Sequence, residues 1–369
     1  MIRVNGTRSG PDPGGTGAPL RRFLARGLVL PGSRLLVPWA AAGLLAAGAA
    51  ACGPGNGNDQ AAPEGERPRA TLSAAHLSWA GPVVDALPDP GDREPLHETE
   101  LDWQIARASA QWAADQDLDL LPVGEVAAIL GATFVGAAYE PGTLELPGPE
   151  RLVVNLAEFD CVTFVEHMLV LSRLVVEEGE GLVSDEEAFR DRYRQALTDL
   201  RYRGGVLDGY PSRLHYFSEW IRDAEAKGWV RDVTAELGGI RDDRPIHFMS
   251  SHPEAYRQLG EDPAHLEAIR RAEERLSGEP RYYIPQDRIA QVAQGIQNGD
   301  VIAAVSTVDG LDIAHTGFAF WHGGRLHLLH APLVGEFVEI SARPLAERIQ
   351  NIAGQKGIMV ARPLTPEGE

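Results

Sequence analysis

One stretch, "NLAEFDCVTFVEHMLVLSRLV" (Asn155–Val175), holds one of only two cysteines in 369 residues. Asp160, just before Cys161, carries the short side-chain oxygen favoured at a helix N-cap, so a helix is expected to open at Cys161. Free N–H groups and the positive helix end would stabilise a thiolate there, which predicts a thiol pKa lowered from the ~8.5 of free cysteine. Cysteine is also a common small core residue, and this stretch alone leaves both readings open. The partner a nucleophilic thiol needs is a base. Four of the eleven histidines, His315, His322, His327 and His330, crowd into "HTGFAFWHGGRLHLLHA". A metal site is the competing use of such a cluster. On a strand, however, His327 and His330 point to opposite faces, and no second cysteine lies nearby. Neither a metal nor an organic cofactor is expected.

Within this histidine segment, Gly323-Gly324 reads as a two-residue hairpin turn, because both positions tolerate positive φ. His322 then pairs with Arg325, His327 with Phe320, and His330 falls opposite Gly317. That register puts His315 and His330 on one face as diagonal neighbours, about 7–8 Å apart in the backbone. Gly317 between them offers no side chain, so an imidazole–imidazole hydrogen bond is expected. His327 lands on the other face.

The elements that must position these groups change character along the chain. "ETELDWQIARASAQWAADQ", "PVGEVAAILGATFVG", "EEAFRDRYRQALTDLRYRGG" and "SRLHYFSEWIRDAEAKGWV" have helical spacing. Asp160–Val176 is apolar on more than one face and should be buried. The last third, "GDVIAAVST", "IAHTGFAFW", "RLHLLHA", "EFVEI" and "GIMVARPL", is short, β-branched or aromatic, and broken by turn residues. Helices first and strands later predicts an α+β fold, an antiparallel sheet with helices against it. The folded body is expected from near His97 to about Leu364, inside a domain spanning 95–369.

The first residues are of another kind. Arg3, Arg8, Arg21, Arg22, Arg26 and Arg34 oppose Asp12 alone, and "LLVPWAAAGLLAAGAAAC" runs apolar to Cys52. This is the layout of an export signal over residues 1–51. It is too short and too interrupted for a membrane-spanning helix. Ala49, Ala50 and Ala51 before Cys52 suggest a lipidated cysteine, and Gly/Pro/Asn-rich residues 52–94 read as a tether. The whole chain carries net charge −19, and loss of the arginine-rich leader makes the remainder more acidic still. Nucleic acid is therefore disfavoured as a partner, and membrane contact is expected only through the lipid. With Cys52 lipidated, Cys161 is left as the single free thiol of an exported protein, which favours a reactive role.

"FDCVTFVEH", "YPSRLHYFSEWI", "LDIAHTGFAFW" and "LHLLHAP", in this order, resemble the N-acetylmuramoyl-L-alanine amidase-like branch of the NlpC-type, papain-like bacterial cell-wall cysteine hydrolases. The similarity runs from about Ile129 to Leu364. It implies a papain-like α+β fold in which the nucleophile-bearing helix packs on an antiparallel sheet, with extra helices. By motif, Cys161 is the implied nucleophile, His315 the base and His330 the residue that orients it. Tyr139 matches a tyrosine that faces the active site, with a plain buried tyrosine as the alternative. Asp160 supports the helix start, and Tyr210, Ser212, Arg213 and His215 are candidate substrate contacts. For Arg213, a structural tie to Asp or Glu is an equal alternative. Pro332 and Leu333 stand where relatives carry small hydroxyl residues. The implied substrate is peptidoglycan or a muropeptide, cut between the lactyl group of N-acetylmuramic acid and L-alanine through a thioester. The expected location, read from the leader, Cys52 and the Gly53 that follows it rather than from the resemblance, is the periplasmic face of the envelope, as an outer-membrane lipoprotein. A stem-peptide endopeptidase, an acyltransferase and a non-catalytic wall-binding lipoprotein are the competing functions.

Overall fold

The computed structural model describes residues 97–366 apart from Gly335. The expected signal, the lipidation site Cys52 and the tether lie outside the described residues. Helices α1 (Glu100–Asp115) and α2 (Val123–Thr133) lead into a short parallel pair, β1 (Ala138–Tyr139) and β2 (Glu158–Phe159). Then come α3 (Cys161–Glu178), α4 (Glu186–Arg201) and α5 (Phe217–Ala226). Strands β3 (Val230–Asp232) and β4 (Ile240–Asp242) follow, then helix α6 (Pro263–Gly278) and β5 (Arg281–Pro285). The chain ends with β6 (Val301–Ser306), β7 (Ile313–His322), β8 (Arg325–His330), β9 (Glu339–Ile340), α7 (Leu345–Asn351) and β10 (Gln355–Pro363).

The main sheet has the order β4-β5-β10-β6-β7-β8-β9, with β3 also on β10, and every pairing is antiparallel. The fold is α+β, as expected, but the separation of helices from strands is incomplete. Helix α6 and strands β3–β5 intervene in a region where the sequence reading assigned no element. The last strand, β10, inserts into the centre of the sheet instead of adding at an edge. Periodicity cannot report this, since it describes one segment's faces and not its neighbours.

Helix α3 forms where Asp160 caps it. The Asp160 carboxylate accepts the N–H groups of Val162 and Thr163 at 3.0 and 2.8 Å, and Thr163 Oγ1 accepts from the Asp160 amide at 2.9 Å, a reciprocal capping box. Nearly every face of the helix from Thr163 to Val175 is buried, each large apolar side chain contributing about 1.5–3 kcal/mol. Phe164 meets Phe318 of β7 edge to face at 5.9 Å, which seats α3 on the sheet. Alternate residues of β6 serve two cores: Val301, Ala303 and Val305 face the α1–α5 side, while Ile302 and Ala304 face α7 through Leu345 and Ile349.

Candidate functional site

Cys161 is the first residue of α3 and keeps part of its surface exposed. The backbone N–H of Thr316, directly after His315 on β7, donates to its sulfur, as do the amides of Cys161 and Val162. Burial nevertheless pushes the thiol up to about 12, with the Asp160 carboxylate adding to the effect. This corrects the expectation of a depressed pKa. The residue that makes a good helix cap also places a negative charge beside the sulfur, and desolvation outweighs the helix-start donors.

The hairpin has the expected register. His322 pairs with Arg325, Phe320 with His327 and Phe318 with Leu329, and both turn glycines have positive φ, 56° and 74°. His330 is fully buried, and its Nδ1 lies 2.8 Å from Nε2 of His315, the rings meeting edge to face at 4.9 Å. A Cβ on Gly317 would lie 2.6 Å from Leu329 O and 2.7 Å from His330 Cβ, so glycine is what permits this approach. His327, on the other face, is bonded to Ser341 O at 2.8 Å. Burial, then His330 and Arg348, hold His315 well below the usual histidine range, and burial with Arg348 brings His330 down to about 2. The resting site is thus a neutral thiol with two neutral imidazoles.

Tyr139 joins this site from β1. It pairs with Phe159, two residues before Cys161, and its amide donates to Glu336 O at 2.7 Å. Its phenol is raised by burial first and by the Cys161 sulfur second, which keeps the hydroxyl protonated beside the thiol. The loop after His330 closes against the same strand through the Ala138–Phe337 bridge and leaves Leu333, Val334 and Phe337 exposed.

The "YPSRLH" residues form a separate, mutually bonded group. Arg213 is buried with its guanidinium bonded to Leu144 O and Glu145, within 3.6 Å of Glu150, and 5.0 Å over the Tyr210 ring. Ser212 Oγ donates to Gly209 O and accepts the Asp208 amide, while His215 Nε2 lies 2.9 Å from Tyr210 O. These bonds run within the loop and to residues 144–150, not to Cys161 or His315. Sequence reasoning missed three groups at the site: the Thr316 amide, Glu339 and Arg348. Glu339 stands opposite His330 on β9, with Oε1 3.4 Å from His330 Nε2. No motif marks it, because an eight-residue stretch whose path periodicity does not predict separates the two. Among the described residues no group of three His, Cys, Asp or Glu side chains is placed to hold a metal ion.

Residues 129–358 match the model of a family described as N-acetylmuramoyl-L-alanine amidase-like. A crystal structure of an N-acetylmuramoyl-L-alanine amidase from Bacteroides uniformis is 33% identical, with a TM-score of 0.60 over 66% of this chain and 99% of that one. A Bacteroides fragilis protein named as a candidate xylanase is 36% identical, with a TM-score of 0.59 over 63% and 98%. A Legionella pneumophila protein at 20% identity, TM-score 0.51 over 71% and 96%, shares the fold. No curated protein matches. With the family model covering most of the chain and the fold reproduced at over 30% identity, this protein belongs to the N-acetylmuramoyl-L-alanine amidase-like family.

Proposed function

We propose that this protein is a papain-like cysteine amidase of the NlpC type, hydrolysing the amide between the lactyl group of N-acetylmuramic acid and L-alanine in peptidoglycan or muropeptides. The observation that carries this reading is the 2.8 Å His315–His330 pair, with His315 next in the chain to Thr316, whose amide donates to the Cys161 sulfur. A neutral thiol and a neutral base favour proton transfer concerted with attack over a preformed ion pair. His315 takes the Cys161 proton as the sulfur bonds to the substrate carbonyl carbon. Asp160 holds the Val162 and Thr163 amides, so the Cys161 amide, which at rest leans only on its own sulfur, and the Tyr139 hydroxyl are the donors assigned to the oxyanion. His315 then protonates the leaving L-alanine nitrogen as the C–N bond breaks. Water, deprotonated by His315, cleaves the thioester to a carboxylate and restores the thiol.

The bond choice is supported by family membership and by the amidase name of the Bacteroides uniformis neighbour. The envelope location is supported by the leader and by Cys52, whose lipid would hold the body through a tether of residues 52–94. Mass spectrometry of products from defined muropeptides tests the reaction. Free L-alanyl peptide with intact sugar is expected, and Cys161→Ala should abolish it with the fold unchanged. Shortened stem peptides would make the enzyme an endopeptidase, and no turnover by wild type would make it a wall-binding protein.

A further inference from the structure

A hydrogen bond between two neutral imidazoles has a direction, and here the direction decides whether the site works. Each neutral ring has one N–H and one bare nitrogen. If His315 is the base, as proposed above, its Nδ1 must be bare toward Cys161 and its proton must sit on Nε2. That proton is donated to His330 Nδ1, 2.8 Å away. His330 must then carry its own proton on Nε2. This nitrogen is buried, has no hydrogen bond of ordinary length, and lies 3.4 Å from Glu339 Oε1. In the opposite arrangement His330 donates from Nδ1, His315 is left protonated on the nitrogen facing the thiol, and the base is lost.

We infer that Glu339 is a positioning residue that sets the tautomers of both histidines by accepting the His330 Nε2 proton. Residues His330 and Glu339 are direct partners across β8 and β9, so the sheet register aims the carboxylate at the ring. The charged and titratable groups around the pair are His315 from β7, Glu339 from β9 and Arg348 from α7, with Cys161 and Asp160 at the helix start. Arg348 has a buried, unbonded Nη1 and acts electrostatically on Glu339 and on both histidines. It disfavours a second positive charge there, and it opposes the burial that raises the Glu339 carboxyl, so it favours the ionised state in which the carboxylate can only accept. The 3.4 Å separation is long for a hydrogen bond, as is common before substrate binds, and it shortens as His315 gains its proton.

The test uses the full-length chain labelled with 15N-histidine, as wild type, Glu339→Ala and Glu339→Gln. Long-range 1H–15N spectra report the His330 tautomer, and steady-state kinetics on a defined muropeptide report kcat and KM. Wild type should show His330 protonated on Nε2. In Glu339→Ala the Nδ1–H form should become the major one, and kcat should fall about tenfold with KM within about twofold, less than when a directly orienting residue is lost. Glu339→Gln, whose amide oxygen still accepts, should lie between the two. An unchanged tautomer in Glu339→Ala overturns the inference, whatever the rate, and so does a switched tautomer with unchanged kcat. The spectra need no substrate. Wild type inactive on muropeptides therefore defeats the amidase reading alone, and the tautomer still decides this one.

Discussion

Gly317→Ala adds one methyl group at the position that lets the two histidines meet. The new Cβ would lie 2.6 Å from Leu329 O and 2.7 Å from His330 Cβ, and neither is the free end of a flexible side chain. β8 must recede by about half an ångström to restore contact distances in a close-packed interior. Applied to the 2.8 Å His315–His330 bond, that takes it past the usual N–H range of 2.7–3.2 Å. Overpacking of this size costs about 1–3 kcal/mol, or roughly 5 °C in Tm for a domain of this size. Loss of base orientation should lower kcat about a hundredfold. Gly324→Ala is the matched control. It has open space around it but a φ of 74°, so it loses stability through backbone strain without moving either histidine. Thermal melts and muropeptide kinetics on both variants separate the effects. Near-normal kcat in Gly317→Ala, or equal kcat losses in the two, would refute the argument that this glycine exists for the imidazole contact.

His330→Ala should reduce kcat by about two to four orders of magnitude without abolishing turnover, as loss of an orienting group does, whereas His327→Ala, which loses its bond to Ser341 O and its edge contact with His322, should lower Tm more than kcat; the reverse pattern would reassign the pair. With the thiol pushed up to about 12, iodoacetamide should label Cys161 in the resting enzyme more slowly than free cysteine at pH 7, about tenfold faster per pH unit up to pH 11; a rate plateau near pH 7 would show a preformed thiolate. Buried His167, bonded to Tyr193 at 2.6 Å, is held neutral with its pKa well below 6.5. The unfolded chain protonates it below about 6.5, so its contribution to stability is full above that pH and falls by about 1.4 kcal/mol per unit below. Urea melts should therefore show His167→Gln gaining about 1 kcal/mol on wild type between pH 7 and 5.5, and a constant difference would contradict the neutral assignment.

Much of this molecule was legible in local pattern. Asp160 before an apolar run specified the start of α3, because capping is a contact within four residues. Gly323-Gly324 specified the hairpin, and period-two alternation carried that register eight residues back to His315 and six forward to His330. The α+β class followed from the change of period alone. Each of these is set by backbone geometry acting between near neighbours, which is why residue types and spacing suffice.

What the tertiary structure decided lies in long-range encounters. Only the folded chain brings Glu339 against His330, sets a half-buried Arg348 within electrostatic reach of both histidines, and inserts β10 at the centre of the sheet. Only it turns Arg213 inward to Glu145 and Glu150. The state of the thiol is the sharpest case. The helix start argues for a low pKa and is visible in sequence, but desolvation depends on every atom packed around the sulfur, and the Asp160 charge depends on where the cap points its carboxylate. Solvent exclusion is a property of the assembled interior, so the sign of that shift was settled by packing.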